Sequence, residues 1–190
     1  MVNSLGYPSL DNTHYQKVGR VTPSFTMGFG NEFSYKHFSL GFQLYGRFGG
    51  QVISATQSIL DANGESKVSA QARDAGGVKF DGYTLNPQQY YGIIGGGTGG
   101  TTNALAMYVY SATNVRLSEL SFGYTFPSSD FHNRIESLKV SVVGRNLWMI
   151  YNKAPFDPES AASTSTFYQG FDYFNPPSLR NIGIRLSVSL

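Results

Sequence analysis

Residues 179–190 read LRNIGIRLSVSL, and their alternation decides the fold. From Ile182 onward the even positions Ile182, Ile184, Leu186, Val188 and Leu190 are all apolar, while Gly183, Arg185, Ser187 and Ser189 between them are small or polar. A period of two is the mark of a strand with two unlike faces. The run ends on apolar Leu190 with no polar tail, so its greasy face needs a cover. A lipid bilayer is one candidate for that cover.

Working outward, the same alternation recurs. In a strand from Thr26 to Tyr35, Met27, Phe29, Phe33 and Tyr35 share one face, with Asn31 interrupting it once. A tight turn at Lys36–His37 leads into a strand from Ser39 to Phe48. There Leu40, Phe42, Leu44 and Phe48 oppose Gln43, Tyr45 and Arg47, and the pair reads as a hairpin. A third strand is expected to begin near Met107–Tyr110 and run to Phe126. Its phase slips between Leu117 and Leu120, as a β-bulge would require. A fourth covers Ser137 to Ile150, and its facing becomes ambiguous after Val143. Residues 1–23, 49–105 and 151–178 lack a sustained period and read as loops, with a short helix expected over Val52–Leu60.

Composition narrows the class. Charged residues make up 14% of the chain, against roughly 25% in an average soluble domain. The 22 glycines and 15% aromatics suit an all-β protein with many turns and an apolar exterior. A formal net charge of +2 offers no basic patch for nucleic acid. The absence of cysteine excludes disulfide staples and thiolate chemistry. No run approaches the length of a transmembrane helix. The first residues lack a basic and then apolar leader, so an exported protein is not expected to begin here.

Strands of ten or more residues match the ~9–11 that a tilted membrane strand needs. Connections alternate between short (36–38, 127–136) and long (49–105, 151–178). In an antiparallel meander this sorts the short turns to one end, as in outer-membrane barrels. Tyr108, Tyr110, Trp148 and Tyr151 at one end, with Phe33, Tyr35, Phe38 and Phe126 at the other, are expected to form interfacial girdles. About five strands cannot close a barrel whose smallest members have about eight. The expectation is therefore part of a larger barrel.

Three segments carry a family likeness: TPSFTMGFGNEFSYKHFSL (22–40), NVRLSELSFGYTFP (114–127), and VVGRNLWMI (142–150) followed by FDPE (156–159). With the closing NIGIRLSVSL, they resemble the C-terminal barrel strands of TonB-dependent outer-membrane transporters of the SusC/RagA type from Bacteroidetes. Leu190 departs from the family's usual terminal aromatic. The resemblance implies a plugged barrel of about 22 strands, with residues 1–190 as its C-terminal segment and 49–105 and 151–178 as external loops. It also implies partnership with a SusD-like surface lipoprotein and outer-membrane lipid. TonB would be contacted through an N-terminal plug portion outside this sequence, and the cargo would be a glycan or peptide.

Candidate sites follow from residue chemistry. Phe167, Tyr168, Phe171, Tyr173 and Phe174, with Asp172 among them, offer ring faces for sugar stacking or for a protein lid; packing of the loop onto its own barrel is the alternative. Asp157, Glu159 and Asp172 share that loop and could meet a cation or a sugar hydroxyl, although solvated carboxylates are commoner. Arg47, Arg116, Arg145 and Arg185 fall on the polar, lumen-side face, either to pair with plug carboxylates or as solvated charge. His14, His37 and His132 are scattered without companion ligands, so no metal is expected. Gly95–Gly100 lacks the lysine and hydroxyl of a phosphate loop. No catalytic constellation stands out, and neither an enzyme nor a cofactor is expected. The rival readings are a soluble secreted carbohydrate-binding module and an adhesin-like barrel.

Overall fold

Period-two alternation becomes long strands, and the segments without it become something else. In chain order the elements are β1 (Phe25–Tyr35), β2 (Phe38–Phe48), β3 (Gln51–Ser54), α1 (Ala55–Asn63), α2 (Lys67–Asp74), β4 (Val78–Phe80) and β5 (Tyr83–Leu85). After them come α3 (Pro87–Gly95), β6 (Val109–Ser111), β7 (Asn114–Pro127), β8 (Ser137–Asn152), β9 (Phe171–Asp172) and β10 (Asn181–Ser189). The computed structural model describes residues 2–9, 14, 17–96, 104–131, 135–160, 165 and 168–189. Two compact units divide them: residues 22–50, 112–157 and 177–190 in one, and 1–21, 51–111 and 158–176 in the other.

The first of these is an antiparallel sheet ordered β1-β2-β7-β8-β10. Its register sets whole rows across all five strands. Phe33, Leu40, Phe122, Val142 and Ile184 stand side by side in one row. The next row is Glu32, Gly41, Ser121, Val143 and Gly183, on the opposite face. All five members of the first row are exposed, from 41% at Leu40 to 74% at Ile184. Among the described residues of this unit, nothing covers the apolar side.

The polar side is concave. Lys139 on β8 reaches Glu32 on β1 at 3.5 Å, although three strand spacings of ~4.8 Å separate the two strands. Only curvature toward the polar face brings them together. Small residues make that curvature possible: a Cβ on Gly123 would sit 2.6 Å from Ser141 Oγ and 2.9 Å from Ser39 Oγ. The expected bulge is present. Leu117 pairs with Leu44 and Glu119 with Gln43, leaving Ser118 as the extra residue, so Leu117 and Leu120 return to one face. The ambiguity after Val143 has a cause as well, because Asn146 adopts a left-handed φ of 51° and breaks the β7–β8 register.

The other unit corrects the all-β expectation. Residues 49–105, expected as a long loop with one short helix over Val52–Leu60, contain three helices, the first of them at Ala55–Asn63, and the chain is mostly β. Ser54, Ser66 and Asn86 cap the helix N-termini with their side-chain oxygens, and Pro87 follows Asn86 at the first helical position. Gly64 and Gly96 close α1 and α3 in the left-handed conformation. Asp81–Gly82, both with positive φ, turn β4 into β5. The core is Leu85, Tyr90, Tyr91, Ile94 and Tyr108, with Tyr7, Phe80 and Tyr110 packed against it.

Two further expectations change here. The third strand starts at Asn114, because Val109–Ser111 pairs instead with β3 in this second unit. Tyr108 is buried in its core and Tyr110 packs against that core, so neither belongs to an interfacial girdle; burial of the ring was worth more than alternation.

Candidate functional site

On the concave face, polar residues from all five strands line a hollow of about 640 Å³, among them Glu32, Gln43, Glu119, Ser121, Lys139 and Arg185. The register places Arg47, Arg116, Arg145 and Arg185 on this face. Arg47 sits opposite Thr26 and Asn114, and Arg185 opposite Ser141. Arg145 pairs with its cross-strand neighbour Glu119, Nε to Oε2 at 3.0 Å. The pair is largely exposed, so it contributes little to stability.

Arg116 is different. Its Nη2 and Nη1 donate to Asp157 Oδ1 at 2.9 Å and Oδ2 at 3.3 Å, and both side chains are 10% exposed. Nε and Nη2 also donate to Asn114 Oδ1 at 3.2 Å. The loop that delivers Asp157 is shaped by Asn152, whose Nδ2 donates to the Phe156 carbonyl at 2.7 Å while its Oδ1 accepts from Ala154 N. Asp157 is thus the counter-ion of Arg116. Local sequence showed the charges but not their pairing.

In the second unit, Asp172 is 5% exposed and accepts from Ser54 Oγ at 2.6 Å. Two residues on, the Phe174 N–H donates to Thr56 Oγ1 at 2.6 Å. The short β9 lies parallel to β3, Ile53 opposite Phe171 and Ser54 opposite Asp172. Phe174 has φ 46°, a left-handed backbone that costs a bulky side chain about 1–2 kcal/mol. Tyr173 and Phe174 project outward with ring centroids 5.4 Å apart and planes at 83°. Tyr168 and Phe171 form a separate, looser pair at 6.5 Å. Phe167 lies outside the described residues, as do His132 and Gly97–Gly100.

Asp157 and Asp172, expected as solvated loop carboxylates, are instead largely buried, Asp157 against Arg116 and Asp172 against Ser54. Among the described residues no group of acids and histidines is placed to hold a metal. His14 is exposed, and His37 sits in the β1–β2 turn against the Tyr124 ring. Sequence reasoning missed Ser54 and Thr56, the anchors of the aromatic segment. The signal was the capping box Ser54-Ala55-Thr56-Gln57, in which Ser54 Oγ accepts from Gln57 N.

The helical core holds Asp61, almost fully buried and accepting from Gln57 Nε2 at 2.7 Å. Burial first, and then the charge of Asp61, raise the hydroxyl pKa values of Tyr90, Tyr91, Tyr108 and Tyr110, most of all Tyr108. The folded phenols keep protons that the unfolded chain releases above about pH 10. Their contribution to stability is complete below that pH and is lost as pH rises through the higher folded values. An Asp61→Asn variant keeps an acceptor for Gln57 but removes the charge. Tyrosinate absorbance during alkaline titration should rise at lower pH in that variant than in the parent.

No family model matches the chain. It is similar to the TonB-dependent receptor P3 of Formosa agariphila, at 26% identity over 177 residues, which is 90% of this chain and 17% of that receptor. Similarity to the TonB-dependent receptor P39 of the same organism is 26% over 179 residues, covering 90% and 16%. Among solved structures, the RagAB peptide importer in its open-open state matches with a TM-score of 0.64 at 20% identity, over 90% of this chain and 18% of that one. The RagAB peptide transporter matches at 0.58 and 22% identity, over 88% and 17%. The chain therefore spans 16–17% of the length of these curated relatives. It is related to part of the TonB-dependent receptors, and its fold matches a portion of a RagAB chain.

Proposed function

From this kinship we propose that the 190 residues are a C-terminal stretch of barrel wall in a TonB-dependent importer of the SusC/RagA type. The importer lies in the outer membrane of a Gram-negative cell. The observation that carries this reading is the uncovered apolar row Phe33–Leu40–Phe122–Val142–Ile184 on the convex side of a sheet whose concave side is polar. Lipid covers such a row at no desolvation cost, and a water-filled or plugged lumen suits the other face. The two sheet edges, β1 and β10, continue into further strands of the barrel, because an open edge in hydrocarbon leaves backbone groups unsatisfied at several kcal/mol each.

In this reading Arg47, Arg145 and Arg185 face the lumen, where they meet the plug. The helical unit and the segment that docks on it form external loops beside a SusD-like lipoprotein. TonB acts through other parts of the protein. The cargo is a peptide or an oligosaccharide.

Thiol labelling tests the membrane placement. Cysteines replace Ile184 and Ser187 singly, on a background free of other reactive thiols, in outer membranes containing the protein. The Ser187 site should react with a charged maleimide and the Ile184 site should resist it, because a thiol in hydrocarbon is neither reached by that reagent nor ionised to the reactive thiolate. Equal reaction of both sites with the charged reagent would remove the membrane reading.

A further inference from the structure

We infer that the hollow between the C-terminal end of α1 and the N-terminal end of α3 binds a small zwitterion of the α-amino acid type, its ammonium on Asp61 and its carboxylate on Arg73. Such a site goes beyond the importer reading and stands whether or not that reading holds.

Asp61 lies in the last turn of α1, and its placement is costly twice over. It is 5% exposed, and a buried carboxylate loses its hydration unless a cation replaces it. It also stands where the helix dipole is already negative, the end at which acids are disfavoured. The bond it accepts from Gln57 Nε2 comes from a neutral amide. Among the described residues no lysine, arginine or histidine pairs with its carboxylate. After burial itself, the charge of Asp61 is the cause shared by the four raised tyrosine hydroxyls around it.

Arg73, in the last turn of α2, brings the opposite sign to the same hollow. Its Nη1 donates to the Gly64 carbonyl at 2.8 Å, and a Cβ on Gly64 would sit 2.9 Å from that nitrogen, so the guanidinium is seated against the glycine. Asp61 and Arg73 both line the hollow and do not bond each other. The first turn of α3, at Pro87 and Gln88, adds the positive end of a helix to the lining. One molecule that carries both signs satisfies both sides. The guanidinium disfavours a lone metal cation, and a neutral sugar leaves the Asp61 charge uncompensated. At about 210 Å³ the hollow is smaller than the roughly 300–1,000 Å³ that drug-sized ligands fill, which leaves out an oligosaccharide or an oligopeptide. Ala62, Pro87 and Tyr91 supply apolar wall for a short aliphatic side chain.

Titration calorimetry on the complete protein in detergent micelles tests the assignment. The probes are leucine, isoamylamine with the ammonium alone, isocaproate with the carboxylate alone, and glucose. Leucine should bind at least about tenfold more tightly than either one-ended analogue, because each end is a charge-assisted contact. Asp61→Asn, which keeps an acceptor for Gln57, should weaken leucine and isoamylamine by a similar factor and spare isocaproate. Arg73→Gln, at an exposed position, should weaken leucine and isocaproate and spare isoamylamine. A merely structural role for either residue would instead lower the thermal midpoint and weaken all three probes alike, and that result overturns the assignment. Leucine affinity unchanged in both variants overturns it too, as does the absence of saturable leucine binding to the unsubstituted protein. Glucose binding more tightly than leucine would make the hollow a sugar site and overturn the zwitterion. None of these outcomes bears on the thiol labelling, which reports on the membrane reading by itself.

Discussion

Ile184→Arg should cost about 2–4 kcal/mol of folded stability in a bilayer, whereas Ser187→Arg, three residues along the same strand, should cost a small fraction of that. Both positions are exposed in this sheet, so burial within the chain does not separate them. What separates them is the face. Ile184 stands in the row with Val142 and Phe122, and Ser187 stands opposite Lys139 on the polar side. An arginine at Ile184 puts a guanidinium where hydrocarbon is expected, near the middle of β10; one at Ser187 enters the hollow beside Glu32 and Glu119. Unfolding titrations of the whole protein in lipid vesicles measure both. Equal penalties for the two would mean that water reaches both faces, and the barrel-wall proposal would go.

Arg116→Ala should be the most damaging single change in the polar face, at about 3–5 kcal/mol. The substitution leaves the Asp157 carboxylate in a site only 10% exposed, without the two guanidinium contacts that offset its desolvation. Asp157→Ala should cost a similar amount by stranding the cation. The double variant Arg116→Met/Asp157→Leu removes both charges and should recover most of the loss, since an apolar pair of like volume is often as stable as a buried ion pair. Arg145→Ala is the control, because its bond to Glu119 is exposed and should be worth less than about 1 kcal/mol. Thermal or denaturant midpoints across the set decide the matter. A double variant as unstable as either single one would show that packing of the long side chains, rather than charge, holds the loop.

The two predictions mark where local reading works. Ile184 and Ser187 were assigned to opposite faces from a nine-residue pattern, and the bulge beside Leu117 was visible as a slipped phase. Arg116 was legible only as a cation on the polar face. Its partner lies 41 residues away, beyond a turn and the whole of β8, and no local spacing announces it. Of the helices of the second unit, α1 was expected over Val52–Leu60, whereas α2 and α3 were legible but overlooked. Ser54, Ser66 and Asn86-Pro87 open them, Gly64 and Gly96 close two of them, and Asp81-Gly82 signals the hairpin between. Small polar residues and glycines raise the polarity of such a stretch, which then resembles a loop when hydrophobic period alone is weighed.

By itself the sequence determined the five two-faced strands, their order of turns and their unlike sides, because side-chain direction along a strand is set residue by residue by the pleat. Tertiary structure alone decided that the polar side is the concave one, that Asp157 neutralises Arg116, and that Asp172 fastens the aromatic segment to Ser54, 118 residues upstream. Those outcomes depend on which distant groups lose water together, and that is a property of the folded chain rather than of any stretch of it.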